Sequence, residues 1–381
     1  MILKSFSYTE DAGQPKFWKL ENIDLNSINL IVGKNACGKT RTLNVIAALS
    51  NLLLNIRVPY RNGDFSATFE NEKKQKITYA VSIERSCVMK ETLSIDGENF
   101  ICREKDGNGE IKNSFFNQMT KFKVPNNVLV STRRDDIQYP YLNDLYLWAS
   151  QLRHFRFAQD AERRSFAITQ QNEVEDDFVD IRETNKSMLF FKKGKKEFPK
   201  EFINNVTQDL NDIGYDIESV DLNAQNSIQI QSPVQAKLIG LVIKERDRAA
   251  FTDQNSMSDG LFRALSILIH FNYYELAQKS GCVLIDDIGE GLDFERSSKL
   301  IKLLINKAQK IGIQLIMSTN DKFVMNGTDL DYWQVISRHG SSVNVFNKRN
   351  SPKIFEDFKF IGLNNFDFFA TDFFKTGLVD V

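Results

Sequence analysis

The sequence predicts an α/β fold: a mixed, largely parallel sheet, an antiparallel β subdomain and a helical insert. Three observations predict it. The apolar run Ile28 to Val32 ends on Gly33 and leads into helical periodicity. Residues 64–124 alternate polar and apolar, broken by Asp96-Gly97 and Asp106-Gly107-Asn108-Gly109 turns. Residues 261–317 read helix, strand, helix, strand, at the lengths of a βαβ unit.

Each element follows from its own pattern. Residues 2–8 and 17–25 alternate as half-buried strands, and Leu43, Ile46, Ala47, Leu52 and Leu53 place a helix over 41–56. Val128 to Val130 reads as a buried strand, and 141–157 as a helix carrying Leu142, Leu145, Leu147, Trp148 and Leu152. Residues 158–200 are polar, include Lys-Lys-Gly-Lys-Lys at 192–196, and give weak signals, which suits a mobile or partner-ordered segment. A helix is expected over 202–213 and one or two strands over 236–245. Then come a helix over 261–279, a strand over 282–285, a helix over 295–310 closed by Gly312, and a strand over 313–317. The chain divides into an N-terminal lobe with the β subdomain (1–139), a helical insert (140–255), a C-terminal lobe (256–349) and a Phe-rich segment (350–381).

Composition narrows the function classes. With 49 Lys+Arg against 50 Asp+Glu the net charge is −1, which excludes a broadly basic nucleic-acid coat. The 42% hydrophobic content fills a core, and 26% charged residues make an ordinary surface. Cys37, Cys87, Cys102 and Cys282 are scattered, which favours a reducing compartment. The start MILKSFSYTED lacks a leader pattern and no apolar run reaches the ~18 residues of a membrane span, so a cytoplasmic, non-membrane protein is expected. His154, His270 and His339 are too few and too dispersed for a metal centre.

Gly33-Lys34-Asn35-Ala36-Cys37-Gly38-Lys39-Thr40 fits GxxxxGK[ST] between a strand and a helix, the arrangement of a P-loop NTPase. Gly33 and Gly38 let backbone N–H groups wrap a phosphate, the helix N-terminus adds its positive end, Lys39 reaches the β/γ oxygens and Thr40 ligates Mg²⁺. Asn35 and Arg41 complete the candidates for holding ATP. The apolar strand Cys282 to Ile285 ends in Asp286-Asp287. Asp286 is placed to hold Mg²⁺ with Thr40, and Asp287 to orient or deprotonate the attacking water. A capped strand end is the alternative for this pair taken alone.

Ser256-Met257-Ser258-Asp259-Gly260-Leu261-Phe262-Arg263 opens the helix before that strand, and here the sequence resembles the ABC-type ATPases. The resemblance implies that Ser258 and Gly260 cap the γ-phosphate of ATP held by an opposite subunit; Asp259 and Leu261 depart from the usual signature. A serine-capped helix start is the alternative. Gly291-Leu292-Asp293 resembles the D-loop, or caps the next helix. In Ser318-Thr319-Asn320, Asn320 stands for the switch histidine and can hydrogen-bond a γ-phosphate without carrying charge. Ser131 to Arg134, with Gln138, occupies the place of the Q-loop; the alternative is pairing of the arginines with Asp135 and Asp136. Most relatives carry Glu at the position of Asp287, so the acid sits about 1.5 Å back unless the backbone compensates. This implies slow hydrolysis, or a contribution from Glu290.

The order of motifs is that of SMC, RecF and OLD-type ATPases, and more narrowly of short stand-alone ATPases of bacterial phage-defence operons. It implies a homodimer or higher oligomer that sandwiches ATP and regulates or scaffolds an effector, a toxin or nuclease encoded nearby. OLD enzymes add a nuclease domain for which about 60 residues after Asn320 leave no room. The alternatives are a RecF-like DNA-repair ATPase, with nucleic acid as partner, and a transporter nucleotide-binding subunit, against which the interposed β subdomain argues. Arg153, His154, Arg156, Arg163 and Arg164, with the 192–196 lysines, form either a patch for an anionic partner or a solvated face. Phe366, Phe369 and Phe373 share a helical face that packs on the lobe; Phe358, Phe360 and Phe374 are either core or an exposed partner patch.

Overall fold

The computed structural model describes residues 1–56, 62–156, 167–169, 180–225 and 237–377. Strands β1 (Ile2–Glu10) and β2 (Trp18–Asp24) pair antiparallel and lead to β3 (Ile28–Val32), whose residues are all buried. An apolar run without alternation needs cover on both faces. It has it: Ile28, Leu30 and Val32 face one core and Ile31 the other. Helix α1 (Lys39–Leu53) lies on the Ile31 side. Six antiparallel strands follow: β4 (Gly63–Glu70), β5 (Lys76–Glu84), β6 (Cys87–Ile95), β7 (Glu98–Arg103), β8 (Asn108–Asn113) and β9 (Gln118–Lys123). The expected β subdomain is therefore real, but it continues the main sheet through the β1–β4 pairing.

Two sequence expectations change in the next stretch. Val128 to Val130 forms no strand; Val130–Thr132 is a single 3₁₀ turn, because the buried Glu91 carboxylate accepts from the N–H groups of Val130 and Ser131 at 2.7 and 2.9 Å. The expected 141–157 helix stops as α2 (Leu142–Ser150), and Arg153–Phe155 becomes β10, a parallel edge strand on the later strand Gly281–Ile285. Arg153 is fully buried there, its guanidinium 3.8 Å from the centre of the Tyr274 ring.

The insert holds β11 (Ala167–Thr169), α3 (Ser187–Glu197), α4 (Glu201–Asp212), β12 (Ile217–Ala224), β13 (Lys237–Glu245) and β14 (Thr252–Asp253). The lysine run at 192–196 is helical, since Phe190 and Phe191 on the same helix are buried. Beside its helices the insert carries, among the described residues, a separate four-stranded sheet of which sequence patterning shows only β13. Parts of the polar segment expected to be mobile, residues 157–166 and 170–179, lie outside the described residues.

The C-terminal lobe follows expectation closely: α5 (Asp259–Leu276), β15 (Gly281–Ile285), α6 (Phe294–Ile311) closed by Gly312 at φ 70, and β16 (Ile313–Thr319). Then come α7 (Lys322–Asn326), β17 (Trp333–His339), β18 (Ser342–Phe346), α8 (Pro352–Lys359), α9 (Asn365–Ala370) and α10 (Phe373–Thr376). The main sheet has 14 strands in the order β10-β15-β16-β3-β17-β18-β2-β1-β4, continuing to β9. Strands β15, β16, β3 and β17 run parallel. Helices α5 and α6 cover the Ile28 side. The Phe-rich segment is mostly core: Phe355, Phe358, Phe368, Phe369 and Phe374 are buried, whereas Phe360 is 90% exposed. All four cysteines are free, and among the described residues no helix is long and apolar enough to cross a membrane.

His270 on α5 is fully buried, its ring 4.1 Å from Phe190 and its Nδ1 3.0 Å from the Tyr274 hydroxyl. Burial, helped by the Arg153 cation, pushes its pKa down to about 3. The folded state thus binds this proton more weakly than the unfolded chain does. The contribution is complete above the unfolded pKa of about 6.5 and is lost as pH falls towards 3. At pH 5 the expected loss is about 2 kcal/mol relative to pH 7.5. Urea unfolding at the two pH values should show it, and His270→Phe should reduce the dependence by that amount, leaving the share of His154, whose pKa is also pushed down to about 3; equal slopes in both proteins would count against this assignment.

Candidate nucleotide site

The carboxyl ends of β3, β15 and β16 are neighbours in one parallel sheet, so whatever follows each strand converges. After β3 comes the glycine loop. Gly38 sits at φ 113 and leads into α1, a conformation that favours glycine. Gly33 has a different reason: a Cβ would lie 2.8 Å from the Ile336 carbonyl oxygen. Lys39 is 7% exposed and its Nζ donates to the carbonyls of Gly33 at 2.9 Å and Lys34 at 3.4 Å, so the cation lies folded across the loop.

After β15 comes the acidic pair. The Thr40 hydroxyl donates to Asp286 Oδ1 at 3.2 Å, joining residues 246 apart in sequence. The Ser318 hydroxyl donates to the same oxygen at 2.6 Å. A hydroxyl beside a carboxylate is an oxygen donor set that fits Mg²⁺, which takes one or two protein oxygens and completes its shell with phosphate and water. Among the described residues there is no cluster of three or more His, Cys, Asp or Glu able to cage a metal. Asp287 follows at φ 50, its N–H donating to Ser318 Oγ at 2.9 Å. Its Oδ1 is buried with no hydrogen-bond partner among the described residues. Burial raises its pKa above the usual carboxylate value, the Asp286 charge adds to this, and Lys39 opposes it.

After β16 comes Asn320, whose amide donates to Asn35 Oδ1 at 2.9 Å. The structure therefore brings together Gly33, Asn35, Gly38, Lys39, Thr40, Asp286, Asp287 and Asn320. Glu290 is drawn elsewhere: its carboxylate accepts from Arg263 of α5 at 2.6 Å, so it is held by an ion pair. Arg41 donates to Glu10 and stacks 4.3 Å from the Trp18 ring centre, anchored to the first two strands.

Ser258 is the N-cap of α5, its Oγ accepting from the Leu261 N–H at 3.3 Å. Asp293 is the N-cap of α6, accepting from the Arg296 N–H at 2.9 Å. Both helix-cap readings are thus correct as local geometry. The two starts form one unit, because Gly260 packs so closely on the 289–293 loop that a Cβ would collide with the Gly291 carbonyl oxygen.

The Q-loop expectation does not match the placement. Ser131 is buried, 3.1 Å from the Tyr79 hydroxyl, and Gln138 accepts from Asn113 at 3.1 Å in the antiparallel region. Arg133 and Arg134 do not choose the neighbouring aspartates either: Arg133 lies over Phe122, and Arg134 lies over Tyr146 and donates to the Leu53 carbonyl. The basic patch is also reduced, since Arg153 is buried and burial holds His154 near pKa 3. Arg163 and Arg164 lie outside the described residues. Sequence reasoning leaves Ser318 without a role, and its only signal is a small hydroxyl beside the end of a fully buried strand.

A profile of the family described as "AAA domain, putative AbiEii toxin, Type IV TA system" matches residues 28–326. An SMC head bound to the C-winged helix domain of ScpA superposes with a TM-score of 0.53 at 13% identity, covering 93% of this chain and 100% of its own. An Smc head with an extended coiled coil, bound to the C-terminal domain of ScpA and derived from Pyrococcus furiosus, gives 0.51 at 13% identity over 94% and 99%. RecF with ATP gives 0.42 at 12% identity over 90% and 98%. No curated protein matches. The fold is that of the ABC-type ATPase heads of SMC proteins.

Gly260→Ala should force α5 and the 289–293 loop apart and cost about 1–3 kcal/mol. Equilibrium denaturation measures it, and a variant as stable as the parent would show that the loop yields freely.

Proposed function

Because the chain belongs to this AAA-domain family, we propose that it is an ATPase whose ATP-driven dimerisation regulates or scaffolds a partner effector, a toxin or nuclease, in bacterial anti-phage defence. The observation that carries the ATPase reading is the meeting of Thr40 and Ser318 on one oxygen of Asp286, beside the buried Lys39. Lys39 exchanges its two loop carbonyls for the β/γ oxygens of ATP. Mg²⁺, held by Thr40 and Asp286, would offset charge on the phosphoryl oxygens. Asp287 orients the attacking water and accepts its proton, and Asn320, set by Asn35, hydrogen-bonds the γ-phosphate side.

Support for the dimer comes from the signature unit. Ser258 caps α5 and Gly260 packs on the 289–293 loop, and the resemblance of this unit to the ABC-type signature supports a second copy as the source of the γ-phosphate it would cap. The defence role draws on the family description, and the partner role on the SMC heads, which were solved with part of ScpA bound. The RecF-like DNA-repair alternative loses support with the burial of Arg153 and the lowered pKa of His154, which keeps that ring neutral.

Asp287→Asn with ATP and Mg²⁺ should run as a dimer by light scattering, while Lys39→Ala should stay monomeric and lose at least about a hundredfold in ATP affinity. An elution profile indifferent to nucleotide in all three proteins would sink the sandwich. Co-purification of the neighbouring gene's product tests the effector.

A further inference from the structure

We propose that Ser318 is a positioning residue of the hydrolytic site, one hydroxyl that sets both acids of the Asp286-Asp287 pair. The inference rests on the ATPase reading above and deepens it. Ser318 is the penultimate residue of β16 and is fully buried. Its single proton goes to Asp286 Oδ1 at 2.6 Å, and its oxygen accepts from the Asp287 N–H at 2.9 Å. Its carbonyl accepts from the Ile288 N–H at 2.9 Å, and the next hydroxyl, Thr319 Oγ1, donates to the Ile288 carbonyl at 3.2 Å. The turn at 286–288 is thereby pinned to β16 at four points.

What the pinning holds is a disfavoured conformation. Asp287 sits at φ 50, in the left-handed region that non-glycine residues avoid. Strained backbone persists where its surroundings over-determine it, and it clusters at functional sites. Aspartate and asparagine tolerate this region better than longer side chains do, which gives a physical reason for an acid one methylene shorter than glutamate. The left-handed turn re-aims the side chain from the backbone, and the Asp287 Oδ1 left without a partner is the atom the turn presents. Were Ser318 only filling a core position, a group of the same volume without the hydroxyl would serve.

The test compares Ser318→Ala, Ser318→Cys and Ser318→Thr with the parent, each assayed below its own melting temperature. Ala and Cys should lower kcat about 10- to 100-fold with KM for ATP within about twofold. ATP affinity in EDTA should not change, and Thr, which keeps the hydroxyl, should recover most of kcat. A crystal structure of nucleotide-free Ser318→Ala should show Asp287 leaving positive φ. Parental kcat in both Ala and Cys, or Asp287 unmoved in that crystal, overturns the role of Ser318 and leaves the ATPase reading intact. A parent that neither binds nor hydrolyses ATP overturns both.

Discussion

Three strand ends meet at one oxygen. Asp286 Oδ1 receives the hydroxyls of Thr40 and Ser318, from the segments that follow or end β3 and β16, and itself follows β15. None of these residues is near another in sequence, so the meeting depends on the parallel register that sets Ile285 beside Met317 and Ser318 beside Ile31. Both faces of those strands are covered, and β3, β15 and β16 are almost wholly buried. A shift of one residue would exchange the faces of every side chain on a strand and part the two hydroxyls from the carboxylate.

The remaining parts of the site are arranged around this point by backbone contacts more than by side chains. Gly33 allows β17 to come close, Gly38 turns the chain into α1, and Gly260 joins α5 to the 289–293 loop. The charged groups nearby are mostly engaged: Lys39 on loop carbonyls, Glu290 on Arg263, and Arg41 on Glu10 and Trp18. Glu290 and Arg41 are thereby fixed before any ligand arrives, whereas Lys39 is the charge that would have to change partners to reach a phosphate.

What was legible in the sequence was what periodicity and short motifs encode. The strands at Ile28, Cys282 and Ile313, the helices between them, and the glycine loop all carry their signal within a dozen residues. What was not legible depended on distant partners. The 3₁₀ turn at Val130 exists because Glu91, far upstream, takes its N–H groups. Strand β10 exists because Arg153 finds Tyr274. The bond from Ser318 to Asp286 and the diversion of Glu290 to Arg263 are tertiary facts of the same kind, invisible to any window along the chain.

The order of the central sheet also has a consequence during synthesis. The strand that carries the glycine loop, β3, lies between β16 and β17, and the nearby Leu3 N–H is satisfied by Gln314, 311 residues away. At about 5–20 residues per second, roughly a quarter of a minute to a minute separates translation of those partners. Until then the glycine loop hangs from a strand with open flanks on a ribosome-bound chain. A product ending before Ile313 keeps the loop sequence but lacks β16 and β17, the two strands that flank β3.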